Sequence, residues 1–148
     1  MTRLHHRLVL ASMILAMTAF GTSGCTAGGP TWVDDGASYT MTSVEAVLDA
    51  ADISKQSSRA TTAATKLRHD ALTSLRRQGD SAAKAADLLT ATFPPETRAV
   101  PVYVESASLD GKPVFIVVEA TGPKTGTLNM KRLWVLGEDG SVILARSR

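Results

Sequence analysis

The residues that could do chemistry are few. Cys25 is the sole cysteine, and His69 is the one histidine beyond His5 and His6. An imidazole metal site needs several ligands, and a nucleophilic triad needs a base held by an acid. His69 and Asp70 are neighbours on a predicted helix, so their side chains diverge by about 100°. His69 therefore reads as a surface histidine rather than a catalytic base. Glu105 and Glu119 fall near each other on one face of the predicted sheet, an arrangement that paired-carboxylate chemistry could use. Strand-surface glutamates are more often simply solvated. There is no G-x-S-x-G, H-E-x-x-H, P-loop or G-x-G-x-x-G. The reading is a protein with no catalytic residues, no metal ligands and no cofactor, and so not an enzyme.

Charge narrows the partners. Lys and Arg number 16 against 14 Asp and Glu in 148 residues. Arg3 and Arg7 carry the whole excess, leaving 14 against 14 from Cys25 onward. A nucleic-acid-binding domain would keep a basic surplus, so nucleic acid is excluded as a partner. With 44% hydrophobic and 20% charged residues, the chain has the composition of one globular domain.

The single cysteine sits at an informative place. Arg3, His5, His6 and Arg7 precede an uncharged run of 13 residues, Leu8 to Phe20. That run is shorter than the ~20 residues a membrane-spanning helix needs, and it fits the apolar region of a secretory signal peptide. Thr22-Ser23-Gly24-Cys25 follows. These residues resemble the lipobox of bacterial lipoproteins, with Thr22 where that family usually has Leu. The resemblance implies cleavage before Cys25, diacylglyceryl transfer to its sulfur and a further acyl (palmitate-type) group. It places the chain at the extracytoplasmic face of the cell membrane, held there by lipid. Each buried CH₂ contributes about 0.8 kcal/mol, so two or three chains hold a protein that one would hold only marginally. The expected organisation is residues 1–24 as signal peptide, 25–41 as lipidated cysteine and flexible tether, and 42–148 as a single α+β domain. The tether would reach roughly 20–24 Å.

The domain must supply its elements from period alone. Thr42-Ser43-Val44-Glu45 matches a capping box. Ala60, Ala64, Leu67, Ala71, Leu72 and Leu75 recur at helical spacing, and Gly79 ends that stretch. Asp80 starts a second helical stretch through Ala82, Ala85, Ala86, Leu89 and Phe93, with Asp80 and Lys84 placed as an i,i+4 pair. Pro94-Pro95 stops it. Val100, Val102 and Val104 then alternate with polar or aromatic residues, and Ser108 to Lys112 reads as a turn with a three-residue loop. That loop would pair Val102 with Val118 and Val104 with Ile116. Lys131–Leu136 and Ser141–Arg146 form a second hairpin. The predicted fold is α+β: two or three N-terminal helices packed on a four-stranded antiparallel meander.

One helical layer covers one sheet face, yet both faces carry apolar residues. The second face bears Tyr103, Phe115 and Val117 in the first hairpin, and Leu133, Trp134, Val135 and Leu136 occupy both faces of the second. A central strand buried on both sides accounts for part of this. The partner-binding candidates are Tyr103, Phe115 and Trp134, with Lys131 and Arg132 at the rim, because aromatics and arginine are enriched at binding hot spots. Lys124, Lys131 and Arg132 could also meet an anionic partner. The order of helices, meander and closing hairpin (Arg132 to Leu136, Asp139 to Leu144) is similar in outline to PepSY-type domains, which implies binding or peptidase inhibition. The functional expectation is a membrane-anchored, non-enzymatic binding module with a protein partner in the envelope. The alternative is a regulator or inhibitor of a secreted enzyme.

Overall fold

A computed structural model describes residues 29–148. The signal peptide, Cys25 and the first residues of the expected tether lie outside the described residues. Within them the fold is mixed α+β, with six strands and four α-helices. In chain order these are β1 (Thr31–Val33), β2 (Ser38–Tyr39), α1 (Glu45–Ala50), α2 (Ser54–Ser57), α3 (Ala64–Arg76), α4 (Asp80–Thr92), β3 (Ala99–Leu109), β4 (Lys112–Thr121), β5 (Met130–Gly137) and β6 (Val142–Ser147).

The sheet exceeds the expected four antiparallel strands. β3 to β6 pair antiparallel in sequence order, but β1 and β2 lie end to end along the outer edge of β3 and pair parallel with it. Residues 31–33 and 38–39, expected within the tether, are thus part of the sheet. An edge strand offers unpaired N–H and C=O groups, and this segment satisfies them. Trp32 packs on the cluster under α3 and α4, while Tyr39 packs on the cluster under α1. The strap is thereby pinned to both faces.

The first hairpin differs from its sequence reading by one residue. Asp110 (φ 48°) and Gly111 (φ 80°) form a two-residue turn in which both residues are left-handed, the conformation that Asp-Gly favours. Tyr103, not Val102, stands opposite Val118, and a bulge lies between Pro101 and Tyr103. A one-residue slip moves side chains to the other face. Val104 therefore shares a face with Val117, while Ile116 and Val118 lie on the opposite one with Tyr103 and Glu105.

Both faces are covered. Ile116, Val118, Leu133, Val135 and Leu144 pack under Val44, Val47 and Leu48 around α1. Val104, Phe115, Val117 and Leu136 pack under Leu72 and Leu75 of α3 and Ala82, Ala85, Ala86 and Leu89 of α4. The small α4 side chains let that helix approach closely. β4 is buried from Val114 to Ala120, so it is the central strand. The 122–129 loop is stitched down too: Thr61 N donates to Gly126 O, Leu128 N donates to Arg59 O, and Leu128 is fully buried. At Gly122 a Cβ would collide with the Thr127 carbonyl oxygen, so this turn requires glycine.

Local polar contacts also differ from the expected ones. The reciprocal cap before α1 is made by Thr40 and Ser43, whose backbone N–H groups donate to each other's hydroxyls at 2.9 and 3.2 Å. Glu45 instead accepts from Arg146 at 2.8 Å. Lys84 pairs with Glu138 at 2.6 Å and not with Asp80.

Candidate functional site

The sequence-derived candidates do not assemble into one surface. Phe115 is 5% exposed and belongs to the core under α3 and α4. Trp134 stands on that same face, half-buried. Tyr103 lies on the opposite face, packed on the α1 cluster. Lys131 and Arg132 are successive strand residues, so they point to opposite faces. Lys131 donates from Nζ to the Leu48 and Asp49 carbonyls at 3.2 and 3.0 Å, which caps the C-terminal end of α1. Lys124 is exposed in its loop. The aromatic face with a basic rim is therefore replaced by two separate arrangements, one on each side of the sheet.

The first is centred on Glu119, which is fully buried. β4 places it on the face under α3 and α4, opposite Arg132 of β5. It accepts from Arg68 Nη1, from Arg132 Nη2 at 3.1 Å and from Trp134 Nε1 at 2.8 Å. Arg68, on α3, is 4% exposed and also donates to the Ala99 carbonyl at 3.1 Å. A buried carboxylate is tolerated only when its lone pairs are taken up, and here three donors from two elements do so. The aromatic rings extend the cluster. The Arg132 guanidinium sits 4.8 Å from the Trp134 ring centre, Trp134 and Phe93 are 4.9 Å apart, and the Arg68 guanidinium lies 5.5 Å over Phe93. These are cation–π and tilted aromatic contacts. Two guanidiniums share one carboxylate, so the cluster keeps one positive charge. Arg68 Nη2 is buried with no hydrogen-bond partner among the described residues.

This cluster underlies a groove of about 970 Å³ between the outer side of α3 and the chain leaving α4. Arg68, His69 and Leu72 line one side, and Phe93, Pro94 and Pro95 the other. Lys66 and Arg76 stand at the groove in exposed pairs with Asp70 and Asp87, 2.6 and 2.8 Å away. Exposed pairs of this kind are weak and readily re-partnered. No carboxylate among the described residues lines the groove. The volume falls at the upper end of small-ligand sites.

The second arrangement is the reverse in sign. Glu105, 1% exposed, faces α1 and accepts from Tyr39 Oη at 3.1 Å and Tyr103 Oη at 2.8 Å, with no cation bonded to it among the described residues. Burial raises its pKa, an effect that the two phenol donors oppose. Burial, and then the charge of Glu105, pushes Tyr39 up to about 12; burial, and then its hydrogen bond to Glu105, raises Tyr103 as well. The Tyr39 bond also ties the strap to β3. Glu105 and Glu119 thus lie on opposite sheet faces and cannot act as an acid–base pair. His69 is exposed on α3. No cluster of three or more His, Cys, Asp or Glu side chains suited to a metal occurs among the described residues.

Arg68 was not among the sequence candidates. Its signal was present: it lies four residues from both Ala64 and Leu72, in the buried stripe of α3, where a charge demands a buried partner. Glu119 gave the matching signal by interrupting an apolar strand from Val114 to Ala120. Comparison of the chain with protein-family models, with curated proteins and with solved structures returned no match.

Proposed function

We propose that the chain is a non-enzymatic binding module, carried at the extracytoplasmic face of the cell envelope as a lipoprotein anchored through Cys25. The observation that carries the binding reading is the groove: a concave surface with cations and apolar side chains along it, no acid among its described lining residues, and a buried, hydrogen-bonded cluster beneath. Pre-organised polar groups beside apolar walls are how small-ligand sites achieve orientation. The groove offers a place to hold a ligand but no proton-transfer pair to transform one. The anchoring half rests on the leader and on Thr22 to Cys25. No helix among the described residues is long and apolar enough to cross a membrane.

Two measurements test this reading. Fatty-acid labelling followed by fractionation should place label on the wild-type chain in membranes. Cys25→Ala should abolish the label and release the protein or leave it uncleaved. An unlabelled wild type refutes the anchor. A second reading, regulation of a secreted enzyme, draws on β6. This edge strand exposes Val142 and Ile143 at 48% and 41%, and exposed strand edges recruit peptide strands. Val142→Lys would weaken such a complex without touching the groove.

A further inference from the structure

We infer that the groove beside α3 binds an acyl-chain carboxylate, with its head held by the cations of α3 and its chain laid along the apolar side. This rests on the reading of the domain as a binding module. Charge complementarity fixes the head. Lys66, Arg68 and Arg76 line the groove and no Asp or Glu among the described residues does, Asp70 and Asp87 being the exposed partners of Lys66 and Arg76. Below the floor, the buried Arg68 and the part-exposed Arg132 outnumber Glu119 by one charge. Arg68 also retains a buried Nη2 whose donors no acceptor among the described residues takes up, and buried donors are as a rule satisfied. A carboxylate in the groove re-partners the exposed Lys66 and Arg76 beside this surplus charge.

The apolar side fixes the rest of the molecule. Leu72, Phe93, Pro94 and Pro95 offer no hydrogen-bond donors to an inorganic anion. They give a hydrocarbon chain a surface to leave water against. The mature chain carries equal numbers of acidic and basic residues, so the domain lacks the broad basic field of a nucleic-acid binder. Three of its cations, Lys66, Arg68 and Arg76, line one groove of ligand size.

Trp134 provides the readout, because its ring touches Phe93 and Phe93 lines the groove. In the full chain with Cys25→Ser and Trp32→Phe, Trp134 is the sole tryptophan. Palmitate should change its emission saturably, one molecule per chain. Hexadecanol, with the same chain and no charge, should bind at least tenfold more weakly, and acetate should give no saturable change. Lys66→Gln with Arg76→Gln removes exposed cations only and should weaken palmitate at least tenfold. Pro95→Glu, which places a carboxylate in the exposed apolar wall, should weaken it likewise. Circular dichroism checks that each variant is folded. Equal binding of palmitate and hexadecanol, indifference to both sets of substitutions, or no saturable response to palmitate overturns the inference. If palmitate fails while Cys25 is labelled, the anchored module stands with a different ligand. If palmitate binds while Cys25 is unlabelled, the site stands and the anchor falls.

Discussion

Glu119→Gln tests the buried cluster most directly. Glu119 is fully buried, Arg68 is 4% exposed, and the side chain of Arg132 is 28% exposed. The amide keeps the shape of the carboxylate but loses its charge. One of its two acceptor positions becomes a donor, facing guanidinium and indole N–H groups. Arg68 is then a buried cation without a counter-ion, a loss worth about 3–5 kcal/mol. Arg132 adds little to this, because its partial exposure lets water take over. For a domain of this size the change corresponds to a fall in Tm on the order of 10–20 °C. Urea titration followed by circular dichroism measures it. The companion is the double variant Arg68→Met with Glu119→Leu, which removes both buried charges together. It should recover at least half of the loss, because the cost lies in the orphaned charge more than in the missing pair. If Glu119→Gln fails to accumulate, the double variant carries the test. A Glu119→Gln protein within about 1 kcal/mol of wild type, or a double variant no better than the sum of its singles, would refute the cluster as an obligate charge-balanced unit.

The other side of the sheet gives a pH prediction. The folded-state pKa of Glu105 lies above its ordinary value of 4.5, so its contribution to stability is full below that value and is lost as pH rises through the folded-state pKa. Wild type should lose urea resistance from pH 4 toward neutrality relative to Glu105→Gln, and parallel profiles for the two proteins would contradict this. In the core under α1, Ile116 is fully buried; Ile116→Ala should cost about 2–5 kcal/mol, and an unchanged urea midpoint would place it outside that core.

Much of the local structure is legible in the residues alone. Apolar spacings of three and four mark the stretches that α3 and α4 occupy, and Gly79, at φ 117°, marks the break between them. Alternation and Asp110-Gly111 mark the first hairpin, because both are properties of a few neighbouring residues. Face assignment is not local. It turned on one residue of loop length and on the bulge between Pro101 and Tyr103, and both depend on how β3 meets β4 and the helices. The strap is not local either. Residues 31–33 and 38–39 are too short and too broken by Gly36 to signal strands, and they become strands because β3 presents an open edge to them. The candidate site needed tertiary structure most. Arg68 and Glu119 stand 51 residues apart, each at a buried position of its own element. Sequence could show two charges in apolar registers, since periodicity is written residue by residue. Only packing could show that they satisfy each other, because a buried ion pair is decided by which faces meet across the core.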